Sequence, residues 1–164
     1  MSYTTLQSLV DTYGIAEVAA LLCDEDRLVT EDLLRDKLAA DVGTYSAPEQ
    51  EAIAAAVVRA ENALARQSIF IDSKIAARYT LPLTDAASTP VVECCLALTR
   101  AALADDGDNI TKTIKEERAH WRSWLKQVVD GSALLPGEVA GNQSGVVSQR
   151  QTGAMCSGLD WDSY

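Results

Sequence analysis

The sequence is poor in the residues and motifs on which most enzymes depend. It contains a single histidine, His120, and no Ser or Cys nucleophile is paired with that histidine by sequence. A Walker-type loop, a glycine-rich fingerprint after a strand and an H-E-x-x-H zinc motif are all missing. These absences predict a protein without a catalytic site or a cofactor, and we do not expect an enzyme.

Metal, disulfide and membrane signals are equally scarce. The four cysteines (Cys23, Cys94, Cys95, Cys156) include no C-x-x-C pair and have no histidine nearby, so we expect buried, reduced thiols in a reducing cytoplasm. The acidic loop at residues 24–26 lacks the glycine and the closing Glu of a calcium-binding EF-hand, so no metal site is expected. No signal peptide is visible, and no stretch approaches the roughly 20 apolar residues that cross a bilayer.

Basic residues are also few, and the charge is unevenly distributed. Fourteen Lys and Arg against 24 Asp and Glu leave a net charge of −10, which argues against a protein that binds duplex DNA through a basic stripe. Residues 11–61 contain only four bases but twelve acids: Asp11, Glu17, Asp24, Glu25, Asp26, Glu31, Asp32, Asp36, Asp41, Glu49, Glu51 and Glu61. Such a surface is either simply solvated, or it meets a basic partner or repels DNA that passes by.

What the chain does have is aliphatic content. Hydrophobic residues make up 48% of it but aromatic residues only 5%, and this mixture favours closely packed helices over an aromatic-rich β-sandwich. We therefore predict an all-α fold, a small helical bundle. Periodicity and capping residues place the shorter helices at Thr4–Tyr13, Ile15–Cys23, Thr30 to near Gly43, Pro90–Asp105 and Ile110–Asp130. Thr5 or Thr4 is expected to cap the first of these, Thr30 the third and Thr89 the fourth, with Pro90 at the first helical position of the fourth.

One helix is expected to be much longer than the others. It runs from about Glu49 to Tyr79, either unbroken or with a bend near Gln67 and Ser68, and Pro48 suits its first turn. An apolar stripe recurs along it at steps of three, four or seven residues, at Ile53, Val57, Ala60, Leu64, Ile71 and Ile75. A compact monomer cannot easily bury such a length, so we expect this helix to pack against neighbouring subunits.

The composition changes near residue 136, which divides the chain into a helical domain, 1–135, and a Gly/Ser-rich C-terminal arm, 136–164. Five of the nine glycines lie in the arm, which cannot build a core of its own. We expect the arm to be extended or to form a short β-hairpin. Leu159, Trp161 and Tyr164 lie near its end, and large aromatic residues there are typical of docking anchors. They are expected to dock on another chain, with docking on the arm's own domain as the alternative.

Residues 71–83 read IDSKIAARYTLPL, and this stretch resembles the ID-x-x-L-x-x-RY-x-LPL signature of the head-completion, or head–tail adaptor (connector), family of Mu-like bacteriophages. The similarity covers about residues 3–135. It continues more loosely in the arm, where Arg150 precedes the acidic and aromatic end. The signature residues Arg78, Tyr79, Leu81, Pro82 and Leu83 are interpreted as a structural and assembly site. Arg78 and Tyr79 would close the long helix against the turn formed by the other three.

The resemblance implies a structural protein of the virion. Copies would form a ring, expected to be a dodecamer, attached below the portal protein, and this ring would link the DNA-filled head to the next neck connector or the tail. Genomic DNA would pass through the ring without sequence-specific binding. The resemblance further implies synthesis in the host cytoplasm, a place in the virion neck at the portal vertex, and an arm that docks on a neighbouring subunit or on the portal.

An alternative hypothesis belongs to a different class of protein. The chain would then be a helical regulatory protein that binds nucleic acid or a basic protein partner. Only the basic side of the last helix supports it, through Lys112, Lys115, Arg118, Arg122 and Lys126. This alternative predicts salt-dependent binding to duplex DNA.

Overall fold

The computed structural model describes residues 2–23, 27–83, 85–104 and 110–136, with the backbone alone at residues 85–88. Its six α-helices are α1 (Leu6–Tyr13), α2 (Ile15–Leu22), α3 (Glu31–Leu38), α4 (Ala47–Ile75), α5 (Asp85–Leu103) and α6 (Lys112–Asp130). No strand occurs within the described ranges, so the predicted all-α fold with one long helix is confirmed. The predicted loop at residues 24–26 and the arm from residue 137 onward, with its alternative β-hairpin, lie outside the described residues.

Three helices begin after a threonine whose hydroxyl accepts a hydrogen bond from the backbone N–H three residues later. These caps are Thr5, Thr30 and Thr111, with oxygen–nitrogen distances of 3.2, 3.3 and 3.3 Å. Each cap satisfies an N–H that has no partner within its helix. The predicted caps Thr5 and Thr30 are confirmed, whereas the last helix begins at Lys112, two residues later than predicted.

Helix α3 is shorter than the sequence predicts, because it ends at Leu38 and not near Gly43. The chain leaves the helix through Ala40, which has a left-handed φ of 60°. The N–H groups of Ala40 and Asp41 bond to carbonyls three and five residues earlier, at 3.1 and 2.8 Å, which is the bond pair of a Schellman motif. Glycine usually occupies the left-handed position of this motif. An alanine there gives no sequence signal that the helix ends.

Helix α4 spans 29 residues, Ala47–Ile75, without interruption. Its first turn is closed by Glu49, whose carboxylate accepts a hydrogen bond from the N–H of Ser46 at 2.8 Å, as in a capping box. The helix ends four residues before the predicted end at Tyr79. There the N–H of Tyr79 bonds to the carbonyl of Ile75 at 2.9 Å, so a tight turn replaces the expected last helical turn.

The buried side of α4 follows the predicted stripe closely. Its buried residues are Ile53, Ala56, Ala60, Leu64, Ser68, Ile71 and Ile75, whereas the predicted Val57 is only half-buried. Ser68 lies where a bend was considered, but its hydroxyl donates to the carbonyl of Leu64 at 2.9 Å. Because this hydroxyl finds a partner within its own helix, a polar residue is tolerated in the core without breaking the helix.

Helix α5 begins at Asp85, five residues before the predicted start, so Pro90 lies inside the helix and Thr89 is not an N-cap. The proline removes the hydrogen bond to the carbonyl of residue 86. This loss falls in the second turn, next to N–H groups that a helix start leaves unpaired, so it is tolerated there. The predicted central position of this helix is confirmed, because α5 packs against α1, α2, α4 and α6.

Two hydrophobic cores lie along α4, one on each half. The first core packs α1, α2 and α3 against the beginning of α4, and its buried residues include Leu9, Leu22, Leu34 and Ile53. The second core lies at the other end; its buried residues are Ile71, Ile75, Tyr79, Val91, Cys94, Cys95, Leu98, Leu125, Val128 and Leu135. Burying one large apolar side chain contributes roughly 1.5–3 kcal/mol, so each core holds its half of α4 in place.

An ionic cluster around Arg100 ties α5 to three other helices. The guanidinium donates to Glu17 of α2 at 2.6 Å and to Glu117 of α6 at 2.7 Å. It also lies 4.4 Å from the ring centre of Tyr13 in α1, whose hydroxyl donates to Glu117 at 3.1 Å. Burial, together with the Glu117 carboxylate, raises the pKa of Tyr13 above its ordinary value. The charges compensate one another, which makes this cluster a structural tie.

Candidate assembly site at the end of the long helix

Tyr79 of the signature connects the turn after α4 to the chain that follows α6. Its side chain is only 3% exposed and lies in the second core. The Tyr79 hydroxyl accepts a hydrogen bond from the backbone N–H of Leu135 at 3.3 Å, and Leu135 is itself 2% exposed. Because a buried N–H needs a partner, this tyrosine fixes the last residues before the C-terminal arm.

Arg78 lies over the end of α6, against Gly131. Gly131 has a left-handed φ of 83°, and a Cβ atom added to it would lie 2.5 Å from the Arg78 Cζ atom. The carbonyl end of a helix attracts a cation, which suits a guanidinium at this position. The Arg78 Nε atom is buried and has no hydrogen-bond partner within the part of the chain that the structure describes. Close packing therefore accounts for its position, and a side chain at residue 131 would both strain the left-handed backbone and displace the guanidinium.

The remaining signature residues complete the turn. Leu81 and Leu83 are half-buried and pack against the second core, whereas Pro82 is exposed and follows a cis peptide bond. Four of the five predicted site residues thus contact the second core or the end of α6. The other predicted residues, Arg150, Leu159, Trp161 and Tyr164 of the arm, lie outside the described residues.

The second core also receives the start of the chain, which the sequence did not indicate. The Tyr3 hydroxyl donates to the carboxylate of Asp72, and the Tyr3 N–H donates to the Ser68 hydroxyl at 3.2 Å. Burial, followed by the hydrogen bond to Asp72, raises the pKa of Tyr3 above its ordinary value. Asp72 is the second residue of the signature. Its position next to Ile71 in the sequence was the only signal for this contact with the start of the chain.

A groove of about 470 Å³ lies between the end of α4 and the end of α6. The residues that line it are Phe70, Lys74, Arg122, Leu125, Lys126 and Val129. The sequence predicted a basic side for the last helix, but not that two of its cations border a groove with Lys74 of α4. This combination of an apolar floor and basic sides is suited to binding a ligand that is both apolar and acidic.

Two large apolar residues of α4 face solvent. Val58 and Ile69 are 55% and 65% exposed, and Leu134, just after α6, is 67% exposed. The buried stripe of α4 faces the two cores, so Val58 and Ile69 form a separate apolar side of that helix. The sequence predicted that α4 is too long for its own domain to bury, but not which residues remain uncovered.

The described residues offer little for catalysis. His120 is exposed on α6, where its ring lies edge-on at 5.5 Å from that of Trp121. Burial, and then the neighbouring Cys95, raises the pKa of the Cys94 thiol to about 12, which makes it a poor nucleophile near neutral pH. The described ranges contain no group of three or more His, Cys, Asp or Glu residues able to hold a metal ion. Nor do they contain a helix long and apolar enough to pass through a membrane.

The fold and the signature together define an all-α protein whose long helix is followed by an Arg-Tyr-x-Leu-Pro-Leu turn. Residues 3–151 match the sequence model of the family described as "Bacteriophage Mu, Gp36", and the chain belongs to that family. It is therefore a phage protein. The match includes the helical domain and the first part of the arm, but not the last residues of the chain. A comparison with curated proteins finds no match.

Proposed function

We propose that this chain is a structural virion protein of a tailed phage, a head–tail adaptor whose copies form a ring below the portal protein. The ring, a dodecamer, links the DNA-filled head to the next neck connector or the tail. The chain is made in the host cytoplasm and is then located in the virion neck. Family membership supports the phage setting, and the resemblance of the signature at residues 71–83 supports the adaptor role.

The observation that carries the proposal is the apolar outer side of α4. This helix has 29 residues and is therefore about 44 Å long. Val58 and Ile69 are more than half exposed on it, and the exposed residues Ala54 and Ala65 continue the same side at helical spacing. Branched and small side chains in such a line fit closely against a helix of another subunit.

The acidic surface supports the role of the ring as a DNA channel. Among the residues packed around the first core, the exposed acids are Asp11, Glu31, Asp32, Asp41, Glu51 and Glu61. A negative wall repels the phosphate groups of DNA, so DNA can move past it without adhering. We therefore propose that DNA passes through the ring without sequence-specific contact.

The C-terminal arm is proposed to dock on a neighbouring subunit or on the portal, through Arg150, Leu159, Trp161 and Tyr164. Leu134 supports this role, because it is an exposed leucine two residues before the arm. We propose no catalytic activity. The exposed His120 and the buried, protonated Cys94 support that view.

The test is to replace the apolar outer side of α4 in the full chain. The double variant Val58→Asp/Ile69→Asp is expected to keep its helix content, because both side chains are largely exposed, and to lose at least tenfold of its incorporation into particles. Negative-stain and cryo-electron microscopy of particles should show a layer at the portal vertex with the unsubstituted chain and none with the double variant.

Ala119→Asp is the matched control, because it adds the same charge at an exposed position of α6. It should leave incorporation within about twofold of the unsubstituted chain, as is usual for a surface substitution. Particles that contain the unsubstituted chain elsewhere, or not at all, would refute the adaptor role. Normal incorporation of the double variant would refute the assignment of α4 as the interface.

The alternative, a helical regulatory protein that binds nucleic acid or a basic partner, is favoured by one observation. Arg122 and Lys126 lie together with Lys74 around one groove and form a local basic patch. If the alternative is right, the full chain binds duplex DNA with an affinity that falls steeply with salt. Charge reversal at Arg122 and Lys126 would then abolish that binding. The net charge of −10 opposes it.

A further inference from the structure

The groove between α4 and α6 has an apolar floor and a basic rim. Phe70, Leu125 and Val129 form the floor, and the rim carries three cations, Lys74, Arg122 and Lys126. Leu125 is 4% exposed and belongs to the second core, so the floor is backed by packed side chains. The volume of about 470 Å³ is in the range of sites that hold small ligands or the side chains of a peptide.

Within the described residues, the three cations have no acidic partner. None of the lining residues is acidic, and none of the three cations forms an ion pair with another described residue. The Lys74 Nζ atom lies 5.6 Å from the ring centre of Phe70. In a chain with a net charge of −10, an uncompensated basic rim around an apolar floor selects an acidic, partly apolar ligand.

The end of the chain has this composition. Leu159 and Trp161 alternate with Asp160 and Asp162, so a bound peptide can place apolar side chains on the floor and carboxylates at the rim. Trp is among the residues that contribute most to binding at docking sites. The family match ends at residue 151, so these residues lie beyond the part of the chain that it covers.

The arm starts beside the groove and is long enough to reach it. Leu135 is buried in the second core together with Leu125, which also lines the groove. The 22 residues at 137–158 can span up to roughly 75 Å when extended. A covalent tether of this kind gives an effective concentration on the order of millimolar, so even weak docking would be populated in the free protein.

We infer that the groove is the docking site of residues 159–164, with Trp161 on the apolar floor and Asp160 and Asp162 at the three cations. The inference rests on the proposed assembly role of the arm, and it names the surface that receives its end. The groove of the same chain and that of an adjacent copy present the same residues, so either can hold the segment.

Photocrosslinking of the full chain tests the inference. With Trp161→p-benzoylphenylalanine in the purified protein, irradiation should form crosslinks to residues 70–74 or 122–129, identified by mass spectrometry. A monomeric product identifies the groove of the same chain and a dimeric product that of an adjacent copy, and both support the inference. Crosslinks only at other surfaces, or none, would overturn it.

Charge reversal provides a second, independent part of the test. Arg122→Glu/Lys126→Glu should lower the yield of these crosslinks about tenfold, because two attractive contacts become repulsive. Lys115→Glu, on the exposed side of the same helix and outside the groove, should leave the yield within about twofold. Asp160→Lys/Asp162→Lys should restore it in the reversed background. A crosslink yield that stays the same in all of these charge variants would overturn the assignment of the rim.

The outcome is separable from that of the proposed function. Incorporation into particles tests the adaptor role, whereas crosslinking of purified protein tests only the groove. A chain that enters particles normally but forms no groove crosslinks contradicts this inference alone. A chain that forms them but never enters particles contradicts the adaptor role alone.

Discussion

The two cores along α4 are built in different ways. The first core joins mainly helices that follow one another closely in the chain, α1, α2 and α3, to the beginning of α4, and it also includes Leu96 of α5. The second core joins segments that are far apart in the chain. Two of its polar ties, Tyr3 to Asp72 and Leu135 to Tyr79, connect residues 69 and 56 positions apart.

This difference explains where the signature acts. Ile71, Ile75 and Tyr79 of the signature are buried in the second core, and Asp72 holds the start of the chain. The first core relies on apolar packing and on local helix caps, whose partners lie a few residues away. We therefore expect the second core to be more sensitive to the loss of single polar or backbone features.

The largest effect is expected for Gly131→Ala in the second core. A left-handed backbone costs a non-glycine residue about 1–2 kcal/mol, and the new Cβ would also displace the guanidinium of Arg78. We expect the free energy of unfolding, measured by urea denaturation, to fall by about 2 kcal/mol, mostly from the backbone, because the end of the Arg78 side chain can shift.

Two variants separate the causes of that effect. Arg78→Ala/Gly131→Ala should recover the stability lost to contact with the Arg78 side chain, but not the stability lost to the left-handed backbone at residue 131. Gly43→Ala, at a position with no heavy atom within 4 Å and no left-handed φ, should change stability little. If Gly131→Ala is as stable as the unsubstituted protein, the packing of Arg78 on the end of α6 is wrong.

The next effect is a loss of stability at alkaline pH caused by Cys94. In the folded protein its pKa is raised from 9.0 to about 12, so the unfolded chain releases this proton first as the pH rises. The stability that the protonated thiol contributes is complete below pH 9 and declines toward pH 12. At pH 10.5 the decline should reach about 2 kcal/mol.

Denaturation of the Cys94→Ala variant across pH 8 to 10.5 checks this expectation. Tyr3 and Tyr13, which also have raised pKa values, remain in both proteins, so the difference between the two pH profiles isolates Cys94. Parallel profiles would show that the thiol is not buried as described.

A smaller loss is expected for Tyr79→Phe. The substitution keeps the ring in the second core but leaves the buried N–H of Leu135 without its partner. A lost partner of this kind costs about 1–2 kcal/mol, which thermal or urea denaturation can measure. Tyr45→Phe is the matched control at the first core, where the hydroxyl donates to Asp36 at 2.7 Å in a more accessible setting. Equal losses in the two variants would contradict the contrast between the cores.

The smallest effect is a gain, from Ala40→Gly at the end of α3. Glycine adopts the left-handed φ of this position without strain, so stability should rise by about 0.5–1 kcal/mol. Ala39→Gly, at a neighbouring residue with an ordinary helical φ of −81°, should instead lower it. A loss of stability in both variants would show that the Schellman turn does not form in solution.

The signature shows how far prediction from sequence extended. The pattern of Ile71, Ile75 and Tyr79 placed the end of the long helix to within four residues, and all three residues are buried together. The pattern contained no information about the contacts with Leu135 and Gly131, because contacts between residues distant in the chain leave no periodic trace. The groove escaped prediction for the same reason, since Lys74 and Lys126 are 52 positions apart.

Helix boundaries show the same limit on a smaller scale. Thr5 and Thr30 were recognisable as caps because their partners are three residues away. The end of α3 and the start of α5 were predicted wrongly, because Ala40 adopts a glycine-like conformation and Pro90 is tolerated in a second turn. In both places the local preference was overruled by the structure around it.

The all-α class, the long helix and its buried stripe follow from local sequence, because helical periodicity and capping act over a few residues. The tertiary structure alone decides that the start of the chain, the signature turn and the residues before the arm meet in one core. It alone leaves Val58 and Ile69 exposed and forms the basic groove between α4 and α6. The physical reason is that these arrangements depend on how distant helices pack, which no short stretch of sequence determines.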